Sequence, residues 1–202
     1  MESSRWIRLA GTAYTVGGAL WVALALAIGT LYGGDPPPDS AAFVPSQILW
    51  LLLQLLLLFG FFGLFWGRAV GSSLWGKLAF GLGVLGHFLF VAGEIHSLAS
   101  RTISDLLAVA ALVSAIGILL TGVAVLRAKQ WQGRARWLPL LTGLYPFLVM
   151  FPLIAITGDA NIFAIGGWGL VRLALGLAIR DQVTTTLKAT PSVAVLSAQN
   201  RI

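Results

Sequence analysis

Residues 51–66 read LLLQLLLLFGFFGLFW, with Gln54 as the one amide in the run. A strand crossing a membrane alternates apolar and polar side chains every second residue, and this stretch does not. It is a continuous apolar surface, and it extends naturally to 46–67. That is the length of about 20 residues an α-helix needs to cross roughly 30 Å of hydrocarbon. The same reading applies along the chain. Six apolar segments are expected to span, at about 8–31, 46–67, 76–98, 105–127, 137–157 and 163–180. The predicted fold class is all-α, a polytopic helical bundle over 1–181 followed by a polar cytoplasmic tail over 182–202.

Composition supports that class. Of 202 residues, 58% are hydrophobic and 10% are charged, against about 25% charged in soluble domains. So few charges cannot cover a water-soluble fold of this size. The absence of cysteine removes disulfides, zinc–thiolate sites, iron–sulfur clusters and a cysteine nucleophile. The net charge of +6 does not point to nucleic acid, because its source is the flanks of the spans.

Threading sorts the basic residues. Arg5, Arg8, Arg68, Lys77, Arg127, Lys129, Arg134, Arg136, Arg180, Lys188 and Arg201 fall on one side, and Arg101 alone on the other. By the positive-inside rule both termini are expected in the cytoplasm, with the loops of Asp35, Asp39, Arg101 and Asp159 outside. Localisation in a cell membrane, multi-pass, follows. Small residues at Ala23, Ala25 and Ala27 behind Arg5 and Arg8 also fit a cleavable leader. The length of the run, with Gly11, Thr12, Tyr14 and Thr15 in its first turns, favours a retained span. The connection GGDPPPDSAAFVP, with Pro36, Pro37 and Pro38 in sequence, is expected to be an extended loop. Trp6, Trp50, Trp66, Trp75, Trp131 and Trp137 fall near span ends, as an interfacial aromatic belt would. Glycines within the spans are expected to serve close helix packing. GGWGLVRLALG, lacking a preceding strand, is no dinucleotide fingerprint.

Polar groups inside the spans carry the functional question. GHFLFVAGEIHSL, residues 86–98, holds both histidines and every glutamate except Glu2. His87 and Glu94 are seven residues apart, hence only about 20° apart around a helix. His96 lies nearly opposite Glu94 and close to the surface. Arg172 is the one basic residue within a span. Its face holds Ile165, Trp168, Gly169, Gly176 and Ile179, which predicts contact with a neighbouring helix. Gln47 and Gln54 share a face of the second span. Tyr145 lies on the fifth, where Pro146 and Pro152 should bend the helix. Charged side chains in hydrocarbon turn inward and find partners. Gln54, His87, Glu94, Tyr145 and Arg172 are therefore expected to converge in one polar cluster, with Glu94 and Arg172 at similar depth and able to pair.

The two histidines point apart and no other helix carries one, so a haem clamp is not expected. His87 and Glu94 have no third partner for a metal. No metal or other cofactor is expected, and no nucleic acid.

AGEIHSLASRTISDLLAVAALVSAIGILLTGVAVLRAKQWQGRARWLPLLTGLY, residues 92–145, and WIRLAGTAYTVGGAL, residues 6–20, resemble a diffuse group of small bacterial integral membrane proteins of unknown function. In that group an apolar span ends in an Arg-containing turn, then a Trp or Pro, then another apolar span. The resemblance implies a bacterial inner-membrane bundle of about six spans and no catalytic residues. The leading expectation is a non-enzymatic structural or accessory component whose partners are the lipid bilayer and other membrane-protein subunits. The alternative is a small transporter or ligand-binding bundle centred on Glu94, Arg172 and His87. An intramembrane acid–base enzyme on a lipid-soluble substrate stands third.

Overall fold

The computed structural model describes residues 2–189, with side chains over 4–182. Among the described residues the fold is all-α, and six helical segments are long and apolar enough to cross a membrane. The protein is a multi-pass membrane protein. Four spans are single helices: α1 (Glu2–Tyr32), α2 (Phe43–Trp66), α3 (Leu74–Ser100) and α4 (Leu106–Ala128). The fifth span is broken into a 3₁₀ turn (Gly133–Trp137), α5 (Leu138–Tyr145), a π turn (Pro146–Met150) and α6 (Phe151–Thr157). The sixth is α7 (Ile162–Ala189). That helix passes the expected span end at 180; residues 190–202 of the expected tail lie outside the described residues.

Several helix ends have a local cause. Ser73 starts α3 by accepting the Gly76 N–H at 3.1 Å, and Asn161 starts α7 by accepting from Phe163 and Ala164 at 3.0 Å. Such side chains replace partners that the first turn of a helix lacks. Arg68, Arg101 and Lys129, just past the ends of α2, α3 and α4, take left-handed backbone with φ of 52–53°. Glycine is the usual residue there; a basic side chain instead faces the negative end of the helix dipole. The proline-rich connection is not simply extended: Ser40 N–H bonds to Pro37 O at 2.9 Å, closing a turn before α2.

The bend expected in the fifth span takes a definite form. Proline lacks the N–H that the previous turn would accept, and two prolines six residues apart disturb two adjacent turns. The chain answers with a wide turn in which Phe151 N–H reaches back to Pro146 O, the five-residue bond that defines a π turn.

The spans close into a ring in chain order. α1 packs on α2, α2 on α3, α3 on α4, α4 on α5, α5 on α7, and α7 returns to α1 in the most extensive contact of all. Small residues make that closure possible. A Cβ on Gly169 of α7 would lie 2.8 Å from Gly18 O of α1. In lipid, where apolar side chains gain nothing by hiding from tails, this close approach is what holds helices together. α6 is the exception, with no buried residue of its own and few contacts beyond the π turn it follows.

Two of the six tryptophans assigned to the interface are instead buried. Trp131 is 3% exposed and Trp50 is 6% exposed. Trp50 packs edge-on against Trp21 at 4.8 Å between centroids, so its position near a helix start does not leave it among headgroups. Trp6, Trp75 and Trp137 are exposed at their span ends.

Candidate functional site: an acidic pocket and a buried arginine

The interior of the ring is polar at its centre. Tyr14, Gln47, Gln54, His87, Glu94, Thr142 and Arg172 are all buried, the most exposed being Glu94 at 5%. His96, by contrast, is exposed.

Arg172 stands in a corner formed by two indoles. Its guanidinium carbon is 3.7 Å from the Trp168 ring centroid and 4.4 Å from that of Trp21, and the two rings cross at 83°. Both rings are fixed by their own N–H groups. Trp168 donates to Thr142 O at 2.8 Å, and Trp21 to Ile165 O at 2.7 Å. Each cation–π contact contributes up to about 2 kcal/mol when dry, whereas removing an ion from water costs several kcal/mol even after relaxation. The rings therefore offset only part of the burial of this charge.

The expected Glu94–Arg172 ion pair is not formed. The salt bridge found among the described residues is Arg180–Asp181, at 3.8 Å and solvent-exposed. Nε, Nη1 and Nη2 of Arg172 have no hydrogen-bond partner, and neither has Oε2 of Glu94. Instead, Glu94 lines a pocket of about 610 Å³, within the range that holds small ligands. Asp35, Gln47, Gln54 and Asp105 share that lining. Apart from Ser104, the remaining wall is apolar and aromatic, including Trp21, Trp50, Phe90, Phe151 and Trp168. Asp35, Ser104 and Asp105, from the connections before α2 and between α3 and α4, and Ala160, from the connection before α7, also line it. Asp35 is a solvent-exposed loop residue, but its carboxyl borders this pocket, and partial loss of hydration raises its pKa above the ordinary value of 3.8.

His87 and Tyr145 are placed differently from the pocket residues. His87 Nδ1 is 2.9 Å from Gly83 O. A carbonyl can only accept, so Nδ1 carries the hydrogen, and Nε2 is left unpaired in the interior. The ring stacks on Phe61 at 5.2 Å. Tyr145 donates its hydroxyl to Ala164 O at 3.0 Å, tying the fifth span to the start of α7. Of the five expected residues, Gln54 and Glu94 share the pocket lining, Arg172 and His87 are fully buried outside that lining, and Tyr145 is engaged with backbone.

Residues that sequence alone did not mark are Trp21, Tyr14 and Asp35. Trp21 and Tyr14 are seven apart on α1, hence on one face, and that spacing is the signal that could have found them. Asp35 carried no signal beyond its loop.

No protein-family model matches this chain, and neither the curated proteins nor the solved structures contain a significant match. The resemblance to small bacterial membrane proteins thus identifies no family, and the assignment that stands is an all-α, multi-pass membrane protein with six spans.

Proposed function

We propose that the bundle binds a lipophilic cation taken up from the bilayer, as a binding protein or small transporter. One observation carries this: Glu94, rather than being sealed against Arg172, faces a pocket of about 610 Å³ with a carboxylate oxygen unpaired. Asp35 and Asp105 add negative charge at the same surface, and the indoles of Trp21, Trp50 and Trp168 supply aromatic wall. Carboxylates with aromatic faces recognise a cation by charge and quadrupole together. The apolar remainder of the wall suits a greasy body. α6, which lines the pocket through Phe151 and Ile154 and packs loosely, is the natural side of entry from lipid. Read with the basic-residue asymmetry, the loop residues Asp35 and Asp105 of the pocket lie toward the outer face of a bacterial inner membrane and both termini are cytoplasmic.

A structural or accessory role, and intramembrane acid–base catalysis, draw no support from this geometry: the first does not need an acidic cavity, and for the second no group beside Glu94 is poised as its partner. The test is titration of the detergent-purified protein with tetraphenylphosphonium, read by equilibrium dialysis. Saturable binding is expected, weakened roughly ten- to a hundredfold in Glu94→Gln, since removing one charge of a close pair in a partly wet site forfeits about 1–3 kcal/mol of an attraction near 4 kcal/mol. Absence of saturable binding, or equal affinity in the variant, overturns the proposal.

A further inference from the structure

A second feature lies behind two indoles of the pocket wall and rests on different observations. Arg172 is fully buried and all three guanidinium nitrogens lack a partner. Its flat faces are taken by Trp21 and Trp168, whose own N–H groups are committed to backbone carbonyls. What remains free is the edge of the guanidinium, which carries its five N–H donors. The Tyr14 hydroxyl is also buried and unpaired. Tyr14 lies one turn of α1 before Gly18, where an added Cβ would meet Leu173 N at 2.5 Å, so it borders the stretch of α7 that carries Arg172. No carboxylate among the described residues lies within ion-pair distance of Arg172.

We infer that the Arg172 edge and the Tyr14 hydroxyl form an internal binding site for a single monovalent anion, a halide or a carboxylate group. The chemistry selects this class. A buried guanidinium keeps its charge at every accessible pH, and an ion in a low-dielectric interior requires a counter-charge. A monoanion neutralises one guanidinium, whereas a phosphate dianion brings a surplus negative charge. Glu94 does not fill the role: it faces the pocket, whose lining includes both indoles that clamp Arg172 but not Arg172 itself. The bundle accordingly holds two sites of opposite preference, cationic ligand in the acidic pocket and anion behind the tryptophan corner. Charge coupling between them makes each ligand favour the other.

The anion has two possible sources, free halide or the head of a lipid-phase acid. The experiment compares thermal unfolding of the delipidated protein in sodium gluconate, whose hydroxyl groups would have to be stripped of water to enter a buried site, with that in sodium chloride, sodium formate and sodium laurate at matched ionic strength. A saturating rise in melting temperature with chloride or formate assigns a free ion. A rise with laurate alone assigns the carboxylate of a lipid-phase acid. Either is expected to vanish in Arg172→Gln, persist in Arg172→Lys and weaken in Tyr14→Phe. Because Arg172→Gln can fail to accumulate, line broadening of the chlorine-35 resonance by the wild-type protein gives a second measurement, expected to be competed away by bromide. Identical melting in all four salts together with no competable broadening overturns the inference. So does a stabilisation that survives in Arg172→Gln. None of these readouts involves tetraphenylphosphonium, so the pocket can fail its test while this site passes, and the reverse.

Discussion

Changing Glu94 and Arg172 to glutamine, singly and together, measures whether the two intramembrane charges act on each other. Were they a sealed pair, removing either partner would strand the other and cost about 3–5 kcal/mol, and the double change would cost far less than the sum. The structure leads elsewhere. There is no ion pair between them, and Glu94 stands at a pocket wall while Arg172 is held by two rings. At an effective dielectric near 20, two unit charges interact by about 4 kcal/mol at 4 Å and by less than about 2 kcal/mol beyond roughly 9 Å, and the Trp21 and Trp168 rings that wall the pocket and clamp Arg172 hold the guanidinium out of the pocket lining. The expected coupling in the double-mutant cycle is therefore below about 2 kcal/mol. Glu94→Gln alone should change stability by under about 1 kcal/mol, because the amide keeps the shape and removes a charge that has no partner. Unfolding in detergent micelles, followed by the fluorescence of the eight tryptophans, gives each free energy. A coupling of 3 kcal/mol or more would mean that the two side chains meet in the working protein, and would refute the separation of pocket from arginine.

Three further outcomes follow from particular residues. The Asp35 pKa is raised by its surroundings, and only the ionised carboxylate attracts a cation. Tetraphenylphosphonium affinity should fall as pH drops through that raised pKa, beginning above the ordinary carboxylate range of about 4, and Asp35→Asn should flatten this part of the profile; an unchanged profile removes Asp35 from the site. Gly169→Ala places a methyl 2.8 Å from Gly18 O, a backbone atom that cannot yield. Overpacking of about 1–3 kcal/mol outweighs the gain in helix propensity of up to about 1 kcal/mol, so the variant melts lower. Gly81→Ala on α3, with nothing within 4 Å of the added carbon, keeps only the propensity gain and melts higher.

The spans were legible because hydrocarbon imposes one requirement, a run of apolar residues of fixed length, that LLLQLLLLFGFFGLFW meets without ambiguity. The inward face of α3 was legible for a related reason: seven-residue spacing places His87 and Glu94 together whatever their partners. What could not be read was which inward groups touch. Wheels and depths put Glu94 and Arg172 within plausible reach, but they carry no information on the indoles that compete for the guanidinium, and Trp21 enters only through the closure of α1 on α7. Trp50 misled because interface and core positions near a helix start look alike in sequence; its contact with Trp21 is a tertiary fact. Tyr145 looked like a cluster member by its depth, yet its hydroxyl was claimed by the carbonyl of Ala164.

The wide turn at Pro146–Met150 has a consequence for how this bundle can change over time. A π turn spends one residue more than the α-helical turn it replaces, and one residue is worth about 100° of rotation. α5 presents Thr142 and Gly143 to its helix neighbours, while α6, past the turn, presents Phe151 and Ile154 to the pocket. The two halves of one span are thus phased independently. Deleting a single residue within 146–150 would shift the register of everything past it and swing Phe151 and Ile154 by about that angle, away from the cavity, without touching the α5 contacts. Single-residue insertions and deletions at this point are a route by which the shape of the cavity can be rewritten while the frame around it stays put.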